Sequence, residues 1–132
     1  MDRADILIVD DNPANVKLVS FLLTTCGFAV HTATNADEAL AAVAQHRPRL
    51  ILMDIQLPGM DGLTLTRLLK ADPKTSDTII VAVTAYAMKG DEAKARRAGC
   101  DGYVTKPIDT RALPGMITGY LTQAKRQQRA DA

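Results

Sequence analysis

The sequence predicts an α/β protein, a doubly wound five-stranded parallel sheet of the (βα)5 kind with helices on both faces. Two observations carry that prediction. Short apolar, β-branched runs alternate five times with segments of helical period: Ile6–Val9, Phe28–Ala33, Leu50–Met53, Ile79–Val83 and Tyr103–Val104. The first, third and fourth runs are apolar at consecutive positions, which marks strands covered on both faces. Right-handed crossovers then force helices onto both sides of one sheet.

Each helical segment carries its own start and stop signals. Asn12-Pro13 supplies a cap followed by proline at the first helical position. Val16, Val19, Leu23 and Cys26 recur on one face, and Gly27 stands where a helix-ending glycine belongs. Asn35 with Glu38 three residues later resembles a capping box. Ala36, Ala39, Leu40 and Val43 form the next stripe, closed by Pro48. Leu63, Leu65, Leu68 and Leu69 mark a third helix ending before Asp72-Pro73. The fourth, Lys89 to Ala98, is apolar mostly through alanine, so it packs weakly, and Gly99 closes it. Leu113, Met116, Ile117, Tyr120 and Leu121 give the fifth a strong stripe. An interior proline would cost about 3 kcal/mol, so regular helix is expected from near Pro114, after a looser turn from Asp109.

Bulk properties narrow the function classes. A chain of 132 residues fits one domain with a real core. It is expected to span residues 1–122, with 123–132 a polar tail. Net charge is +1, which gives no push toward nucleic acid or an anionic membrane. Lys125, Arg126 and Arg129 read as a solvated end. The opening MDRADILIVD is expected to be neither a signal peptide nor a membrane span. Cys26 and Cys100 form no motif and read as reduced, small core residues, so a cytoplasmic location is expected. His31 and His46 read as surface polar residues.

Chemistry gathers where the strands end. The first strand finishes in Asp10-Asp11, the third in Asp54, the fourth in Thr84, and the fifth runs into Lys106. In doubly wound sheets functional groups sit beyond these carboxyl ends. Three carboxylates at close range repel, and a hard divalent cation such as Mg²⁺ relieves the conflict. A carboxylate beside such a metal can attack phosphorus. A hydroxyl and an ammonium can bind the phosphoryl oxygens, and phosphoryl transfer needs little beyond positioning and charge stabilisation. Asp54 has no good structural excuse at the end of an apolar strand, because ionised carboxylates are rarely buried unpaired.

Asp10-Asp11, the stretch Leu52-Met53-Asp54-Ile55-Gln56-Leu57-Pro58-Gly59-Met60-Asp61-Gly62, the turn Val83-Thr84-Ala85 and the pair Lys106-Pro107 resemble the response-regulator receiver family. The spacing agrees: Thr84 lies 30 residues after Asp54, Tyr103 49 after and Lys106 52 after. The resemblance covers residues 5 to about 122. Within the family, the run from Ala82 to Glu92, Met53–Pro58 and Gly99-Cys100 are similar to those of stand-alone DivK-type cell-division regulators.

The resemblance implies a flavodoxin-like sheet of order 2-1-3-4-5, the arrangement known for a chemotaxis regulator of the same family. It implies Asp54 as phosphoacceptor, and Mg²⁺ held by Asp11, Asp54 and the backbone carbonyl of Gln56, with Asp10 helping through water or by contact with the residues that hold the ion. Thr84 and Lys106 would bind the phosphoryl oxygens, Lys106-Pro107 would be a cis peptide, and Tyr103 would be the switch aromatic. A histidine kinase or histidine phosphotransfer protein would donate the phosphoryl group. A downstream protein would read the face of helix 4, strand 5 and helix 5, with no nucleic acid, no membrane and no output domain, in a monomer or weak dimer. Gln56 and Tyr86 flank the route of hydrolytic water, and the bulk of Tyr86 is expected to slow phosphoryl loss.

Two rival readings draw on other features. A small Mg²⁺-dependent phosphatase would share Asp, Thr, Lys and metal. It would need a second acid two residues after Asp54, where Gln56 stands, and a cap domain. A receiver used only for protein contact would not need the full set of acidic-site residues that this chain carries.

Overall fold

The computed structural model describes residues 5–84, 90–106 and 108–131. Five strands and five helices alternate: β1 (Asp5–Val9), α1 (Pro13–Thr25), β2 (Ala29–Ala33), α2 (Ala36–His46), β3 (Leu50–Asp54), α3 (Gly62–Ala71), β4 (Ile79–Thr84), α4 (Asp91–Ala98), β5 (Gly102–Thr105) and α5 (Leu113–Asp131). The strands form one parallel sheet in the order β2-β1-β3-β4-β5. β3 lies at its centre, with Leu50 opposite both Ile6 of β1 and Ile79 of β4, and Asp54 opposite Val83.

The consecutive apolar residues of the central strands divide between two cores, because successive side chains point to opposite faces. On one face Leu7, Val9, Ile51, Met53, Ile80 and Ala82 pack with Ala39 and Val43 of α2, Leu65 and Leu69 of α3 and Ala95 of α4. On the other, Ile6, Ile8, Leu50, Leu52, Val81 and Val83 pack with Val19 and Leu23 of α1 and Leu113, Ile117 and Leu121 of α5. Each fully buried Leu or Ile contributes roughly 1.5–3 kcal/mol, so the sheet's rigidity comes from β1, β3 and β4 together.

The helix signals translate into caps with small adjustments. The Asn12 side chain accepts from the amides of Ala14 and Asn15, with Pro13 at the first position of α1, and the helix closes through Cys26 into Gly27 at φ 96°. Asn35 Oδ1 accepts from the Glu38 amide at 2.8 Å. The Glu38 carboxylate reaches back to the amide and hydroxyl of Thr34, both at 2.7 Å, one residue earlier than a strict capping box. Helix α5 begins at Leu113 after a hydrogen-bonded turn from Asp109 and continues through the polar residues to Asp131.

Some expectations change in three dimensions. Cys100 is buried, but Cys26 is exposed, because it caps α1 where the chain leaves the core. Leu40 and Leu68 are likewise exposed at the edges of their stripes. Phe28 precedes β2 instead of belonging to it. His31 and His46 are half-buried and stack on each other, with ring centroids 3.6 Å apart. The start of the fourth helix at Lys89 falls outside the described residues. From Asp91 onward α4 buries only alanines, and no side chain caps its start. Isolated helices of such length are marginal.

Candidate functional site

The sheet brings the strand-end groups to one edge. Asp54 is the last residue of β3, and every residue of that strand is buried. Asp10 directly follows β1, its amide bonded to the carbonyl of Ala33 at 3.0 Å. Lys106 directly follows β5, its amide donating to the carbonyl of Thr84 at 2.7 Å, so backbone pairing holds Lys106 beside the end of β4. Thr84 closes β4 opposite Thr105 and is 1% exposed.

The three acids Asp10, Asp11 and Asp54 each offer a carboxylate oxygen, and these oxygens lie within 4.8 Å of one another. Asp10 and Asp54 are each 3% exposed, whereas Asp11 faces solvent. Lys106 Nζ lies 3.1 Å from Asp54 Oδ2 and 3.4 Å from Asp10 Oδ2. One ammonium therefore pairs with two of the three clustered carboxylates. The donor set is all oxygen and its charge is in excess, the match a hard divalent cation requires. Tyr103 on β5 packs against the core of α2, α3 and α4, with its hydroxyl buried. Pro107 and Tyr86 lie outside the described residues.

Sequence reasoning missed two supports. Asn15, one turn into α1, donates from Nδ2 to Asp10 Oδ2 at 2.5 Å, while the Asn12 amide donates to Oδ1 at 2.9 Å. Asp10 is thus clamped by the first turn of the helix that follows it. The signal was an amide side chain five residues after the acid, on the inner side of a helix start. The second is Gly62. A Cβ there would lie 2.7 Å from the Cα of Ile55 and 3.0 Å from the carbonyl carbon of Asp54. Only glycine lets the start of α3 press against the backbone of Asp54. Asp61 caps that start by accepting from the Thr64 amide at 2.8 Å.

The buried acids titrate in opposite directions. Burial pushes Asp10 up, but the Asn12 amide, the Asn15 side chain and Lys106 outweigh it and hold the carboxyl below its ordinary 3.8. Burial raises Asp54 above 3.8, and the charge of Asp10 adds to it, against the opposing Gln56 amide (2.9 Å to Oδ1) and Lys106. Burial lowers Lys106, yet the two carboxylates prevail and raise it above 10.5.

The linkage follows from these signs. The folded protein binds a proton at Asp54 more readily than the unfolded chain does. Ionised Asp54 therefore costs stability, and that cost appears as pH rises from 3.8 through the raised value. Asp10 does the reverse, and its contribution is lost as pH falls below 3.8. In chelator, Asp54→Asn should gain Tm relative to the wild type at neutral pH, and the gain should shrink on acidification toward pH 3.8. Calorimetry across that range checks it; a gain that grows on acidification would contradict the raised Asp54 value.

A (βα)5 sheet of this order, with buried acids and one lysine at the carboxyl ends of its strands, defines a receiver of the two-component signalling class. The chain belongs to the family of the response regulator receiver domain, whose profile matches residues 6–118. Among its relatives is the polar-differentiation response regulator DivK of Brucella anthropi, 44% identical over 90% of this chain and 97% of the relative. The DivK of Brucella ovis is 42% identical over the same shares. Solved structures agree. The CheY-like receiver domain protein of Methanospirillum hungatei JF-1 superposes with a TM-score of 0.87 at 32% identity, covering 96% of this chain and 99% of that one. The receiver domain of a histidine kinase from Syntrophus aciditrophicus gives 0.85 at 29% identity, covering 93% of each chain. The DivK-like resemblance seen in the residues therefore holds over nearly the whole chain. No helix among the described residues is long and apolar enough to cross a membrane.

Proposed function

We propose that this chain is a phosphorylation switch of a histidine–aspartate phosphorelay, with Asp54 as phosphoacceptor. The observation that carries the reading is the meeting of Asp54, Asp10, Asp11 and Lys106 at one sheet edge, with Lys106 bridging the two buried acids. Asp11, Asp54 and the Gln56 carbonyl would hold Mg²⁺, with Asp10 assisting through water or by contact with the residues that hold the ion. The ion supplies the positive charge that lets three carboxylates and a phosphoryl group share one pocket.

An Asp54 oxygen attacks the phosphorus of a phosphohistidine presented by a kinase or phosphotransfer protein. The new O–P bond forms as the P–N bond breaks, and the imidazole departs with its electron pair. Lys106, already beside Asp54 Oδ2, pairs with a phosphoryl oxygen, and the Thr84 hydroxyl takes another. The added group carries roughly −1.5 to −2 charge. Thr84 and Lys106 are joined through their backbones, so their movement toward the new charge carries β5 and Tyr103 with it. The face of α4, β5 and α5 then changes for a downstream protein. The weakly packed α4 suits that role, since mobile elements come from the low-stability end. The chain acts as a signalling protein, without turnover of a separate substrate, as a monomer or weak dimer in the cytoplasm.

Incubation with acetyl phosphate and Mg²⁺, followed by intact mass measurement, is expected to show one hydroxylamine-labile phosphoryl adduct that chelation abolishes. Equal labelling in chelator would rule out the metal-dependent mechanism.

A further inference from the structure

At the end of the sheet opposite Asp54 lies a second concave site. A cavity of about 250 Å³ opens between the end of α2, the start of β3 and the loop before β4. Val43 and Ile79 give it an apolar floor, and Arg47, Arg49 and Lys74 supply three cations against the single carboxylate of Asp77. The two sites are separated by the length of β3, whose five residues span about 16 Å. The sheet thus carries the Asp10, Asp11 and Asp54 cluster at one end and this basic cavity at the other.

Two features distinguish the three cations from an ordinary solvated rim. None of them pairs with a carboxylate among the described residues, although Asp77 lines the same cavity. Lys70, on the neighbouring helix, shows the contrast, since it is consumed by Asp101 at 2.9 Å and the Thr78 carbonyl at 2.7 Å. Arg47 also sits in the left-handed region at φ 48°, and among the described residues it is the sole non-glycine to do so. That position ends α2, where glycine or asparagine is the comfortable choice. An arginine held there lines the cavity at the expense of backbone ease, the pattern of a position kept for its side chain.

We propose that this cavity binds a phosphate-bearing small molecule of mononucleotide size. Guanidinium groups match phosphate oxygens in bidentate fashion, and two of them with an ammonium suit a dianion. The apolar floor suits an uncharged body attached to that group, and Asp77 can accept from its hydroxyl or amino groups. The volume falls below the ~300–1,000 Å³ of drug-sized ligand sites, which argues against a dinucleotide.

The test is titration of the full chain with adenosine 5′-monophosphate in chelator, followed by amide chemical shifts, with adenosine as the uncharged control. Chelator keeps metal from recruiting phosphate to the acidic edge. Saturable shifts are expected at residues 43–49 and 74–79 with the nucleotide and not with adenosine. Arg49→Gln is expected to weaken binding at least tenfold. Arg47→Gly should weaken it similarly while raising Tm, because glycine relieves the left-handed backbone; a purely structural arginine would alter Tm alone. No saturation by 10 mM nucleotide (on the order of the weakest specific sites), shifts centred on Asp54 and Lys106, or unchanged affinity in both variants would overturn the proposal.

Discussion

Asp54→Asn is expected to reduce phosphorylation to background under conditions that label the wild type fully, while the fold persists. The amide keeps the shape of the carboxylate and can still accept from the Gln56 amide through Oδ1. It lacks the anionic oxygen that attacks phosphorus, and neither neighbouring carboxylate is placed to replace it. Asp10 is clamped by Asn12 and Asn15, and its ionised form is already engaged. Asp11 stands in solvent at the mouth of the pocket. A ligand that binds only the folded state at a hundredfold over its Kd stabilises it by about 2.7 kcal/mol. Mg²⁺ should therefore raise the wild-type Tm by several degrees, and most of that rise should vanish in the variant. Circular dichroism in chelator and in Mg²⁺ measures this beside the labelling assay. A variant that labels normally would move the phosphoacceptor away from Asp54.

Gly62→Ala should damage stability and labelling together, although the residue has no chemistry of its own. Its missing Cβ is the space through which α3 approaches the backbone of Asp54 and Ile55. Backbone is the obstacle there, and it cannot swing aside as the end of a flexible side chain would. Overpacking of this kind costs about 1–3 kcal/mol. Part of the strain must be relieved by moving Asp54, Ile55 and the loop that carries Gln56, because the Gly62 amide is bonded to the Ile55 carbonyl at 3.2 Å. Phosphoryl transfer is sensitive to displacements of about 1 Å, so the labelling rate should fall by at least tenfold in the folded fraction. Thermal melts and initial rates of acetyl phosphate labelling test the two effects separately. If the alanine variant melted and labelled like the wild type, the contact would have no mechanical role. At Gly59, whose φ is 77° but which has open space around it, alanine should cost stability through backbone preference alone.

Much of the architecture was legible because central parallel strands are apolar at every position, a pattern that does not depend on knowing their neighbours. Ile6–Val9, Leu50–Met53 and Ile79–Val83 announced themselves in this way. The outer strands were blurred: Phe28 looks like a strand residue yet sits before β2, an edge strand that is mostly half-buried and so lacks the continuous apolar signal of the central strands. Stripe membership at helix margins was also beyond reach. Cys26, Leu40 and Leu68 satisfy the period, but the width of the covered face depends on which strands lie beneath. The stacking of His31 on His46 joins β2 to the end of α2, and nothing in the spacing of two histidines foretells it.

The site divides in the same way. That acids, a threonine and a lysine occur at strand ends follows from the order of the chain, and the family's spacing agrees with the choice of Asp10, Asp11, Asp54, Thr84 and Lys106. Their distances were not legible. The crossover that places β1 and β4 on either side of β3 is what sets Lys106 between Asp10 and Asp54. The clamp by Asn15 and the contact at Gly62 exist only because α1 and α3 return to the same edge. Local sequence determines periodicity, caps and the chemical character of each strand end, since these depend on neighbours within a few residues. Burial, repulsion between acids and close backbone approach depend on groups distant along the chain, and only the assembled sheet decides them.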